Sequence, residues 1–172
     1  MCPVDFFDPQ WYAEHTSERL FFIYDNEDGS CAKLSTNEAD QSTSVNVHNP
    51  SVKDILFLPV DHNLNIRKEG LDDLDSTCDY LLTVNEKEHL IFGEIKTGRK
   101  GWASEGMKQV KHTVEVFRAN HDIAHWNNCR AYVSNWRKWN ARTSTRCVEE
   151  TFKAETGGLR LYIKNDVNID GE

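Results

Sequence analysis

Three charged residues stand where apolar strands should exclude them. Asp79, Glu94 and Lys96 fall within CDYLLTVNEKEHLIFGEIKTGRK, residues 78–100. Two apolar runs, CDYLLTV (78–84) and HLIFGEIK (89–96), flank the polar NEKE and read as a β-hairpin. A loop centred between Glu86 and Lys87 pairs Val84 with His89, and counting outward sets Asp79 opposite Glu94. Facing side chains on antiparallel strands lie about 5 Å apart at Cβ, where like charges destabilise a sheet. Glu94 and Lys96 are two residues apart and so share a face.

Two carboxylates and an ammonium therefore converge on one patch, at a cost unless they pair or bind a cation. A hard divalent ion such as Mg²⁺ (or Mn²⁺) takes carboxylate oxygens and completes its octahedron with water or phosphate. Asp79, Glu94 and the Ile95 carbonyl supply such a donor set. Lys96 is placed to orient or activate an attacking water and to offset charge on a phosphate. The alternative is an edge hairpin with a solvated polar face, on which Lys96 bridges Glu94 or Asp79. The apolar HLIF ahead of the acid, the opposing Asp79 and the basic TGRKG behind it favour the metal.

These residues need elements to hold them. RLFFIYD, CAKLST, KDILFLPV, RAYVSN and LRLYIKN read as further strands, and DPQWYAEHTSERL as a short helix with Asp8 as N-cap. The polar STNEADQSTSVNVHNPS reads as loop. SEGMKQVKHTVEVFRANH is a helix with Ser104 as N-cap and a core stripe of Met107, Val110, Val114 and Phe117. Strands on both sides of a long helix imply one α/β domain over residues 1–172, a mixed central sheet flanked by helices.

With Asp79 ahead of a hairpin turn, GEIK after it and Gln109 on the following helix, the pattern resembles the PD-(D/E)xK nuclease superfamily, over about residues 55–135. It departs at Cys78, where the family name expects proline. The resemblance implies a restriction-endonuclease-like core and Mg²⁺-dependent hydrolysis of nucleic-acid phosphodiesters, DNA rather than RNA, with bacterial defence as a setting. It makes Asp79 and Glu94 metal ligands, Lys96 the catalytic lysine and Gln109 its support. It also offers Glu14 or Glu18 as an extra acid on a first helix, and allows a homodimer.

The 172 residues carry a net charge of −8, which opposes binding to phosphate unless bases are gathered locally. They are gathered after the hairpin. Arg99 and Lys100, then Lys108 and Lys111 near the helix start, would track a backbone. Trp136 and Arg137 open SNWRKWNARTSTR, whose aromatics can stack on unpaired bases while its arginines grip phosphates. Gln109 and His112 share a helical face directed at the metal patch. The net acidity also favours a rival reading, a non-catalytic nuclease-like module or subunit, or else a protein partner that delivers the substrate.

Other signals are weaker. His121, His125 and Cys129 follow at spacings of four and could ligate zinc in an interaction domain, but no fourth ligand is evident. Asp61 and the LDDLD run (71–75) read as loop charges within reach of the metal. The five cysteines lack any CxxC pair, which suits a reducing cytoplasm. No apolar run approaches the roughly 20 residues of a membrane span, and the N-terminus lacks a secretory pattern. Walker, GxGxxG and GxSxG motifs are absent.

Overall fold

The hairpin forms in the register counted from its turn. In the computed structural model, which describes residues 4–26, 28–67, 74–85, 87–137 and 144–171, β6 (Tyr80–Val84) pairs with β7 (His89–Ile95). Val84 faces His89 and Tyr80 faces Gly93, so one further step sets Asp79 across from Glu94. β5 (Ile55–Pro59) lies antiparallel on the other side of β6, and the short β1 (Glu14–Thr16) edges β5.

From β7 the chain crosses through α1 (Trp102–Asn120) to β8 (Asn128–Ser134), parallel to β7. A second crossover through α2 (Thr145–Glu155) leads to β9 (Arg160–Ile163), parallel to β8. The sheet order is β1-β5-β6-β7-β8-β9. Parallel neighbours need such long crossovers, whereas β5, β6 and β7 follow one another as a meander.

Both faces of this mixed sheet are covered. On one, Leu81, Leu90, Phe92, Ala131 and Val133 pack against Val110, Val114 and Phe117 of α1 and Val148 and Phe152 of α2. On the other lies a second sheet, ordered β10 (Asp166–Asn168), β4 (Val45–His48), β2 (Leu20–Tyr24), β3 (Lys33–Ser35). Its Phe21, Ile23, Val45 and Val47 meet Phe57, Tyr80, Leu82 and Tyr132. Burial on both faces explains why the hairpin strands read as nearly unbroken apolar runs. The result is one α/β unit with mixed sheets and flanking helices, layered as helices, large sheet and small sheet. None of its described helices is long and apolar enough to cross a membrane.

Several expectations are corrected. The described residues form two sheets, because VNVH inside the polar stretch forms β4 after a 3-10 turn at Glu38–Thr43. No helix forms after Asp8. Its carboxylate accepts from the Gln10 N–H at 2.9 Å and the Tyr12 N–H donates to Asn63 at 3.1 Å, bonds that compete with helical ones. Glu14 therefore sits on edge strand β1 and Glu18 in the loop after it, neither on a helix. α1 starts at Trp102 behind Gly101 (φ 71°) and not behind Ser104, because Trp102 and Ala103 are buried in the core. α2 was not expected at all.

Two glycines allow close approaches at the hairpin. A Cβ on Gly93 would lie 1.9 Å from the Tyr80 ring, which covers it. One on Gly106 would lie 2.6 Å from Val133 and 3.2 Å from Glu94, so α1 rests directly over Glu94.

Candidate metal centre and groove

Asp79, Glu94 and Lys96 project from the sheet face that carries α1. Glu94 is only 1% exposed and Asp79 8%. The Ile95 N–H donates to Asp79 Oδ2 at 2.5 Å. A strand residue presents its N–H and carbonyl to the same neighbour, so the Ile95 carbonyl faces the Asp79 side as well. Lys96 Nζ lies 2.5 Å from Glu94 Oε1 and donates to Gln109 Oε1, while Gln109 Nε2 donates to the Thr77 carbonyl at 3.1 Å. Gln109 thus clamps Lys96 against the start of the strand bearing Asp79. Glu94 Oε2 is buried and accepts no hydrogen bond.

The electrostatics follow from that burial. Removal from water raises the Asp79 carboxyl to about 7; the Ile95 N–H opposes the shift and Asp25, among others, adds to it. Burial, then the Asp79 charge, holds Glu94 well above the ordinary carboxyl range despite Lys96. Burial pulls the Lys96 ammonium down, but Glu94 and Asp79 outweigh it and its pKa is raised. Lys96 thus stands at this patch as a positive charge and a hydrogen-bond donor.

Lys96 and Gln109 open onto a groove of about 480 Å³ lined also by Asp75, Ser76, Glu105, Lys108 and His112. His112 Nε2 lies 2.7 Å from Asp75 Oδ2. Lys108 is exposed at this wall. Lys111 is not part of it; its ammonium lies 2.8 Å from Glu155 of α2.

Arg99 and Lys100 are exposed on the link from β7 to α1, which Asn135 ties to the end of β8 through the Gly98 carbonyl at 2.9 Å. Arg137 lies over the Trp136 ring, 5.0 Å from its centroid. Trp136 packs on the core between the sheets, so this pair reaches the ends of β7 and β8 from the face opposite α1. Residues 138–143 of the same basic segment lie outside the described residues, as do residues 71–73 of LDDLD.

No family model, no curated protein and no solved structure matches the chain. The geometry has to carry the argument.

Among the described residues no three His, Cys, Asp or Glu side chains are gathered so that they could hold a metal ion by themselves. This disposes of the zinc stripe. His121 accepts from the Phe6 N–H at 3.1 Å, His125 turns to Asp122, and Cys129 lies against the Ile123 carbonyl. It leaves Asp79 and Glu94 as a two-carboxylate set that would depend on a backbone carbonyl and water.

Two further acids approach that set. Asp61, half-buried just beyond β5, donates its N–H to the Cys78 carbonyl at 3.2 Å, and burial raises its own carboxyl. Asp25, just beyond β2, acts on both Asp79 and Asp61. Asp25 was not singled out in the sequence. The signal shared by both is an acid immediately after an apolar run, in LFFIYD and in ILFLPVD.

Proposed function

We propose that this chain is a divalent-cation-dependent nuclease with a restriction-endonuclease-like core, acting on DNA. The observation that carries the reading is the buried pairing of Asp79 with Glu94, whose Oε2 is left without a partner beside the Lys96 ammonium. Folding alone gains nothing from two raised carboxyls placed face to face. An all-oxygen donor set of Asp79, Glu94 and the Ile95 carbonyl fits Mg²⁺ or Mn²⁺, with open positions for water and phosphate. Such an ion, when bound, supplies charge stabilisation to a phosphoryl group and acidifies a water.

The chain's own residues would do the rest. Lys96, held by Gln109, donates to the phosphate or the water and offsets developing negative charge. Lys108, Arg99 and Lys100 contact flanking phosphates, and Trp136 with Arg137 meets the strand from the other face of the sheet. A mixed sheet with α1 and α2 over the Asp79–Glu94 face supports the reading, and a second sheet takes the place of helices on the other face.

The test is cleavage of single- and double-stranded DNA and RNA with Mg²⁺, Mn²⁺ or EDTA, beside Asp79→Asn and Lys96→Ala. Metal-dependent cutting lost in both variants is expected. Two observations favour the second reading, a non-catalytic partner-binding module: the chain is acidic overall and Lys111 is committed to Glu155. A folded wild type that cuts none of these substrates would select it.

A further inference from the structure

The groove beside Lys96 holds a histidine–aspartate pair to which the proposed hydrolysis assigns no role. His112 follows Gln109 by three residues on α1, so both side chains face the groove from one side of the helix. Asp75 approaches from the opposite wall, its backbone fixed by an N–H donated to the Ile66 carbonyl at 2.8 Å. His112 Nε2 is buried 2.7 Å from Asp75 Oδ2, an ion-pair distance though outside hydrogen-bond alignment. With Nε2 enclosed there, Nδ1 is the ring nitrogen that can exchange a proton with a ligand in the groove.

We infer that His112, positioned by Asp75, is the general acid that protonates the departing oxygen of the scissile phosphodiester. The inference rests on the nuclease reading above. As water forms the new P–O bond and releases a proton to solvent, the P–O bond to the leaving oxygen breaks. The Nδ1 proton of the imidazolium passes to that oxygen, and the neutral imidazole regains a proton from solvent. Lys96, held between Glu94 and Gln109, is already assigned to the phosphate and the attacking water, so the departing oxygen falls to a second group. Lys108 stands exposed on the same wall and serves a neighbouring phosphate.

The experiment compares DNA with an analogue carrying sulfur at the departing bridging position, identified from the ends that wild-type cleavage leaves. A thiolate departs without protonation. General-acid catalysis is worth about 10²- to 10⁴-fold. His112→Ala and His112→Asn should therefore each slow cleavage of the oxygen substrate by about 100-fold or more, yet cut the sulfur substrate within about threefold of wild type. Asp75→Asn should show the same pattern with a smaller loss.

Equal loss on both substrates would make His112 a phosphate contact or a structural residue and overturn the inference. So would an unchanged rate on the oxygen substrate. If the wild type cuts neither substrate with any metal, the nuclease reading itself fails and this role falls with it.

Discussion

Replacing Asp79 with asparagine is expected to stabilise the metal-free protein while destroying its metal response. Burial holds the Asp79 carboxyl at about 7 against an ordinary 3.8. A carboxyl raised by folding favours the protonated native state. Its contribution is full below pH 3.8 and is lost as pH climbs towards 7. At pH 7 the shift amounts to roughly 4 kcal/mol, and at pH 5 to roughly 1–2 kcal/mol, taking about 1.36 kcal/mol per unit. Asparagine removes the charge and still offers an oxygen to the Ile95 N–H, but as a weaker acceptor by about 1 kcal/mol. The net gain is then roughly 3 kcal/mol at pH 7 and under about 1 kcal/mol at pH 5. For a chain of this size about 1 kcal/mol moves Tm by roughly 2–4 °C, so Asp79→Asn should melt about 6–12 °C higher at pH 7 in EDTA. The advantage should largely vanish at pH 5. Added Mg²⁺ should raise the Tm of the wild type alone. A variant less stable than wild type at both pH values in EDTA would refute the reasoning, because Asp79 would then be serving the fold.

Three other outcomes follow from the same geometry. Lys96→Ala should lower single-turnover cleavage by about 100-fold or more while changing DNA affinity only a few-fold, measured by separate binding and quench experiments. Gly106→Ala places a Cβ 2.6 Å from Val133 and 3.2 Å from Glu94, so urea unfolding should show a loss of about 1–3 kcal/mol and cleavage should weaken as α1 shifts over the site. Because Asp79 and Glu94 must ionise to bind a cation and both are raised, Mg²⁺ affinity should tighten between pH 6 and 8, by up to about tenfold per unit for each proton released. Titration calorimetry in buffers of different ionisation enthalpy reads the proton released on binding.

The hairpin was legible because a two-residue strand period and a short turn leave its register little freedom, and that register alone sets Asp79 against Glu94. α1 was legible through its apolar stripe. Its first turn was not, since burial of Trp102 and Ala103 outweighed the preference for a serine cap. β4 and β10 escaped because each is short, with one or two buried positions among polar ones, and gains its order from the sheet it joins. α2 buries only Val148 and Phe152, too sparse a stripe to stand out within a polar connection. The pairing of Lys111 with Glu155 and of His112 with Asp75 depends on packing between distant segments, which no local pattern encodes.

The positions that defy folding preferences lie beside one another. Asp79 and Glu94 oppose like charges in a buried sheet, Gly93 weakens the same strand and is covered by Tyr80, and Gly106 breaks helix propensity to let α1 rest over Glu94. Each departure alone has a structural excuse. Gly106 lets α1 settle onto Glu94 on the face that carries both carboxyls, and that closeness excludes water and raises them, while the Tyr80 ring over Gly93 packs the opposite face. A chain selected only for stability would relieve this crowding with an apolar pair at 79 and 94. Retaining the charges while tightening the packing around them fits a site whose missing favourable term arrives with a bound cation.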